Sequence, residues 1–135
     1  MVIRLSVYRH ILLLGVYRCG SYPATIEFFN ELTSVFDELC MHRCPILLFG
    51  DFNVHIDVAT DPTAKRMAKL LRSSRCVQHV VDPTHKDGHT LDLIITSEDD
   101  EIADVKVGER ISDHSLLTFT IPFSLKPVTH ATWTI

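Results

Sequence analysis

The chain has 135 residues, 46% of them hydrophobic and 22% charged, with a formal net charge of −4. That is apolar material enough for one domain with a real core, and too much for a disordered chain. The negative balance excludes the global basic field typical of nucleic-acid binders, although a bound divalent cation can reverse the sign locally at a phosphate site.

Residues 2–7 (VIRLSV) alternate loosely, as a half-buried strand does, and Ile11 to Tyr17 is a continuous apolar run of strand length. Arg9-His10 joins the two tightly, so they should pair antiparallel. The same start fails as a signal peptide. Its longest apolar run, Ile11 to Val16, is short, and Arg18 follows with no small-residue cleavage pattern. No run reaches the roughly 18 apolar residues of a membrane-spanning helix.

After RCGSYP, apolar residues at Ile26, Phe29, Leu32, Val35, Phe36 and Leu39 recur at threes and fours. They predict a helix from about Ala24 to Met41, with Glu27 and Glu31 facing water. Cys40, His42 and Cys44 are zinc-ligand types, but structural zinc takes paired ligands from two separated segments and no second pair follows. With no dense cysteine framework, the chain reads as a reduced, intracellular protein.

Ile46 to Phe49 has the composition of a fully buried strand. Asp61-Pro62 supplies a helix cap and then a proline at the first helical position. That helix should run to about Ser73 and bury Met67, Leu70 and Leu71. Lys65, Arg66, Lys69 and Arg72 fall on its other faces, by default a solvated surface; they are the one DNA-facing candidate outside the motifs below. Cys76–Val81, Leu91–Thr96, a short Val105–Val107 and Ser115–Ile121 complete the strands, with SEDDEIAD (97–104) as an acidic surface loop. Residues 122–135 lose the pattern and read as a loose tail. Strands alternate with helices, so the class is α/β with mixed strand directions.

The chemistry gathers at strand ends: Tyr17-Arg18, GDFN (50–53), NVHID (53–57), DPTHKDGHTLD (82–92) and SDH (112–114). Each has a plain reading alone. Asp-x-Asn after a strand often bonds its own backbone in a turn. Asp87-Gly88 suits a hairpin turn flanked by His85 and His89, and Tyr17 suits a strand rim. Together they include what phosphodiester cleavage needs. Carboxylates can activate a water, and a histidine kept charged by a carboxylate can meet the phosphate oxygens. Asp51, Asn53, Asp92, Asp113 and His114 are residues of the right kinds, in segments that could converge.

The sequence VYR after an apolar strand, then LLFGDFNVHID, DPTHKDGHTLDLIIT and ISDHSLL, resembles the endonuclease/exonuclease/phosphatase superfamily, which includes DNase I and the abasic-site endonucleases. Its TH..GHTLDLIIT form looks most like the endonuclease domain of non-LTR (LINE-type) retrotransposons, over residues 1–121. The resemblance implies a DNase I-like four-layer α/β sandwich with mixed, largely antiparallel sheets, of which this chain would be the C-terminal portion. It also implies magnesium- or manganese-dependent nicking of DNA. Asp51 would match the residue that orients or deprotonates the attacking water, and Asn53 the amide that fixes water or phosphate. Asp92 would match the carboxylate that orients and charges His114. Asp113 would be a metal-side carboxylate beside Asp51, and Tyr17 the tyrosine on the scissile phosphate. Arg18 and Ser112 are lesser, substrate-binding candidates. His55, Asp57, His85 and His89 fit the retrotransposon-like pattern without a catalytic assignment.

Two departures accompany the resemblance. The family's earliest segment supplies an asparagine and then a glutamate that is the main magnesium ligand, whereas the sixteen residues before Tyr17 contain no Asn, Asp or Glu and the first glutamate is Glu27. Metal affinity should fall accordingly, and a catalytically inactive fragment of the domain is the alternative to an active nuclease. YRCG also replaces the expected YRPP. A phosphatase of the same fold, acting on phospholipid or inositol phosphate headgroups, is a further alternative. A reverse transcriptase is an expected companion in a longer parent protein, and a nuclear location is expected if chromosomal DNA is the target.

Overall fold

The computed structural model describes residues 2–8 and 11–122. The Arg9-His10 connection, the half-buried face expected of residues 2–7 and the tail beyond Pro122 lie outside the described side chains. In chain order the elements are β1 (Val2–Tyr8), β2 (Ile11–Tyr17), α1 (Ile26–Met41), β3 (Ile46–Asp51), α2 (Pro62–Ser73), β4 (Cys76–Gln78), β5 (Asp92–Ser97), β6 (Ala103–Ile111) and β7 (His114–Thr120). Five strands form one sheet in the order β1-β2-β3-β5-β4, and β6 and β7 form a separate two-stranded ribbon. Only β2 and β3 pair parallel, across the α1 crossover; the other described pairs are antiparallel, β1 with β2 included.

Both helices begin where side-chain chemistry supplies the missing amide partners. Thr25 accepts from Phe28 N–H at the start of α1, and Asp61 accepts from Thr63 N–H at 2.7 Å ahead of Pro62 in α2. The helices cover one face of the sheet. Leu12, Leu14, Val16, Leu48, Leu93 and Ile95 alternate onto that face and bury Leu32, Phe36 and Met67 against them. The α1 stripe differs from expectation at one end. Ile26 is exposed and Phe28 is buried instead, beneath the Arg18 guanidinium at 5.5 Å from its ring centroid.

The opposite face of the sheet meets the ribbon. Here the fully buried residues are Ile11, Leu47, Val80 and Ile94; Leu13, Val105, Val107, Leu117 and Phe119 are partly covered. The layers are therefore helices, five-stranded sheet and ribbon. β6 is longer than the expected 105–107 because the face of the ribbon turned from the sheet accepts exposed polar residues such as Asp104 and Lys106, and its register shifts twice along the pairing with β7. β4 is shorter than the expected 76–81. Gln78 bonds Val80 through both its amide nitrogen and its amide oxygen, which turns the chain out of the ladder. Among the described residues no helix is long and apolar enough to cross a membrane.

Candidate functional site

Three strand ends place three side chains in a row. Tyr17 is opposite Asp51 in the parallel β2–β3 register, and Asp51 is opposite Asp92 in the antiparallel β3–β5 register. Side chains of paired residues share a face, so Tyr17, Asp51 and Asp92 all stand on the ribbon side of the sheet. Gly50 makes this possible. Its φ is +133°, and a Cβ there would lie 2.0 Å from the Val16 carbonyl oxygen, so no side chain fits where β3 approaches β2 just before Asp51.

His114 reaches the row from the ribbon. Ser112-Asp113 is the two-residue turn between β6 and β7, with Ser112 at φ +74° in a position that favours glycine. Two backbone hydrogen bonds dock this turn on the 84–86 loop, Lys86 N–H to Asp113 O and Ser115 N–H to Thr84 O, each at 2.8 Å; together they form an antiparallel bridge between His85 and His114. The 82–92 segment itself closes as a three-residue hairpin loop. His85 pairs with His89 and Gly88 has φ +85°, where the sequence suggested a two-residue turn at Asp87-Gly88.

The result is a chain of acid, imidazole and acid. His114 Nδ1 donates to Asp92 Oδ2 at 2.7 Å, and its Nε2 stands 3.8 Å from Asp51 Oδ2. The first contact is a charge-assisted hydrogen bond; the second is too long for one. The Asp92 hydrogen bond raises the His114 pKa above its ordinary value against the opposing effect of burial, with help from the charges of Asp92, Asp51 and Asp113. Burial and the neighbouring Asp92 charge raise the Asp51 pKa, opposed by hydrogen bonds from Asn53 and by His114.

Asn53 bonds both oxygens of Asp51, its own N–H to Oδ1 at 3.0 Å and Nδ2 to Oδ2 at 2.9 Å, while Nδ2 also reaches Arg18 O at 2.7 Å. The turn reading of GDFN is realised, and the Asx turn is what aims Asp51. Arg18 is placed under this loop. It is 8% exposed, and its guanidinium donates to the carbonyls of Phe52 (2.7 Å), Tyr22 (2.6 Å), Cys19 (3.2 Å) and Asn53. Those bonds engage four of its five N–H groups with backbone and clamp the corner from behind.

Of the remaining expected residues, Tyr17 lies at the rim, 55% exposed. Ser112 is exposed in the turn. Asp113 points away from the acid–imidazole–acid chain, 3.1 Å from Lys86 Nζ, which lowers its pKa. Lys86 is the cation that sequence reasoning passed over; its signal was its place inside the same THKDGHTLD run. His55 and His89 stack at 4.2 Å, with His89 Nδ1 2.8 Å from Asp57 Oδ2, beside the site and outside it. Cys40, His42 and Cys44 do not gather.

Asp51, Asp92 and His114 are the one group of metal-ligand types that converges among the described residues, each with an atom within 4.8 Å of the others. The donor set does not fit a resident magnesium ion. Magnesium takes oxygen ligands, and the imidazole is committed to Asp92. Asp113 is engaged by Lys86, and no glutamate joins the group.

The chain matches no family model and no curated protein sequence. Among solved structures it is similar to the endonuclease domain of TRAS1, a telomere-specific non-LTR retrotransposon, with a TM-score of 0.72 and 20% identity over 89% of this chain and 60% of that one. It is similar to the 3′ phosphatase NExo from Neisseria, solved with a product DNA hairpin, with a TM-score of 0.70 and 20% identity over 90% of this chain and 65% of that one. An AP endonuclease from Archaeoglobus fulgidus gives a TM-score of 0.57 and 17% identity over 90% of this chain and 65% of its own. The chain thus spans about three fifths to two thirds of the length of these structures.

Proposed function

We propose that this chain, which has the DNase I-like fold, carries the hydrolytic half of a nuclease site acting on phosphodiesters in DNA. The observation that carries the reading is the Asp92–His114–Asp51 chain, in which one carboxylate hydrogen-bonds Nδ1 at 2.7 Å and the other stands 3.8 Å from Nε2. Asp92 keeps the imidazole charged and fixes its ring, so that Nε2–H is aimed at a non-bridging phosphate oxygen. Asp51, oriented by Asn53 and with its pKa raised by burial and Asp92, accepts a proton from the attacking water. The water oxygen bonds phosphorus as the P–O ester bond breaks, the water proton goes to Asp51, and the departing oxygen keeps the bonding pair and takes its proton from solvent water. Tyr17, at the exposed end of the row, supplies a hydroxyl to the phosphate or its sugar.

The retrotransposon form of this reading, nicking of a DNA target, is supported by the GHTLDLIIT run and by the likeness to the TRAS1 domain. In that form magnesium or manganese would be required. A second reading, a catalytically inactive form of the domain, is favoured by the shortage of oxygen donors at Asp51 and Asp92. A supercoiled-plasmid nicking assay, with magnesium, manganese or chelator, separates the two. Nicking that disappears in both Asp51→Ala and His114→Ala supports the hydrolytic site. Folded protein that leaves the plasmid intact under all three conditions refutes it for this chain.

A further inference from the structure

We propose that Thr84 is the positioning residue of the site, its buried side chain and backbone together setting the distance between Asp92 and His114. The inference rests on the reading of Asp92 and His114 as the working pair. Thr84 is 0% exposed. Its hydroxyl oxygen accepts from Leu91 N–H and from Asp92 N–H, both at 3.0 Å. Its carbonyl accepts from Ser115 N–H at 2.8 Å, one residue beyond His114, and its own N–H donates to His89 O at 3.0 Å. One residue therefore holds the backbone of the acid from one side and the backbone next to the imidazole from the other.

The strand ladder shows why a side chain is needed there. Continuing the β3–β5 register one step past Asp51 and Asp92 pairs Phe52 with Leu91. An antiparallel pair of this kind exchanges two backbone bonds. Phe52 N–H does donate to Leu91 O at 3.0 Å. The reciprocal bond is replaced: Phe52 O accepts from Arg18 Nε at 2.7 Å, and Leu91 N–H goes to Thr84. Arg18 and Thr84 thus divide the last rung between them, one turning the GDFN corner and the other holding the start of β5. The 84–86 loop then becomes the shelf on which the ribbon docks, through the bridge between His85 and His114. The His114–Asp92 bond spans two otherwise separate sheets, and Thr84 is the residue bonded to both sides of it.

The test needs no substrate, so it is independent of whether the chain cleaves DNA. In the full chain, the Nδ1 proton of His114 bound to Asp92 should give a downfield ring resonance in proton NMR, assigned by its absence in His114→Asn. Thr84→Ser keeps the hydroxyl and should keep the resonance at the same position. Thr84→Val keeps the shape but removes the acceptor, and the resonance should shift upfield or be lost to exchange while the folded methyl signals persist. If Thr84→Val does not fold, Thr84→Ala is read in its place. The proposal is overturned if wild type lacks the resonance, if the folded Val or Ala variant retains it unchanged, or if Thr84→Ser folds and loses it. Collapse of both Val and Ala variants would also overturn it, by giving the hydroxyl a role in the whole fold.

Discussion

The two faces of the central sheet are built to different standards. On the helix side, Leu32, Phe36, Leu48, Leu93 and Ile95 are all inaccessible to solvent, closed in by two capped helices. On the ribbon side four residues are fully buried and a larger set is only partly covered, with Ile111 and Leu116 exposed on the ribbon itself. The candidate site spans this difference. Asp51 and Asp92 extend from strands anchored by the tight face, whereas His114 is delivered by the loosely covered ribbon. What the contrast teaches is that the carboxylates are fixed by packing and the histidine by a few directed bonds at the 84–86 loop. Packing cannot slide by small increments; a docked hairpin can.

The comparison breaks first at the core. Phe36→Ala should cost about 3–5 kcal/mol, and Phe119→Ala, on the ribbon side, about 1–2 kcal/mol. Urea denaturation of the two variants measures the ratio, and equal losses would mean that the two faces are equally consolidated. Next comes the clamp. Arg18→Ala leaves carbonyls of the GDFN corner without donors and should cost about 2–3 kcal/mol. Arg18→Lys should recover less than half of that, because a compact ammonium lacks the planar fork that spreads donors over four acceptors. Chemical denaturation tests this, and full recovery by lysine would show that charge alone holds the corner.

A smaller effect separates bonded from packed positioning. The folded pKa of His114 is raised, chiefly by the Asp92 hydrogen bond. The stability it contributes is therefore complete below the ordinary histidine range and is lost as pH rises through the raised value. His114 is 38% exposed, so solvent screening should hold the amplitude under about 1 kcal/mol. Asp92→Asn should flatten this slope in urea midpoints taken from about pH 5.5 to about pH 9. The slope is the quantity to read, because removing the Asp92 charge also relieves Asp51. An unchanged slope would place the coupling elsewhere. The smallest effect is at the turn. Ser112 has φ +74°, and Ser112→Gly should add about 0.5 kcal/mol by removing that strain. A thermal melt that falls would show that the serine side chain holds the turn.

Much of the α/β framework was legible along the chain, because caps, apolar periodicity and breakers act over a few residues. Asp61-Pro62 marked the start of α2, the threes and fours from Phe29 to Leu39 marked α1, and the runs at 11–17 and 46–49 marked strands that the sheet then paired parallel. The ends of β4 and β6 were not legible. The first depends on the Gln78 side chain folding back on Val80, and the second on a ribbon loosely enough covered to leave Asp104, Lys106, Glu109 and Arg110 exposed. The motif residues were legible as chemistry, since Asp, Asn and His at strand ends are unusual in that density.

Their division of labour was decided in three dimensions. The resemblance already paired Asp92 with His114 and put Asp113 on the metal side; the bond that crosses 22 residues does go to Asp92, but adjacent Asp113 turns to Lys86. Arg18 reads as a cation for phosphate until the fold surrounds it with carbonyls. Thr84 reads as a loop residue until β5 needs an acceptor at the broken rung. Local chemistry follows from residue type and short spacing, so the sequence by itself determined which groups are present and which strands carry them. Which group faces which is set by register, by twist and by the docking of one sheet on another, and those are properties of the folded chain alone.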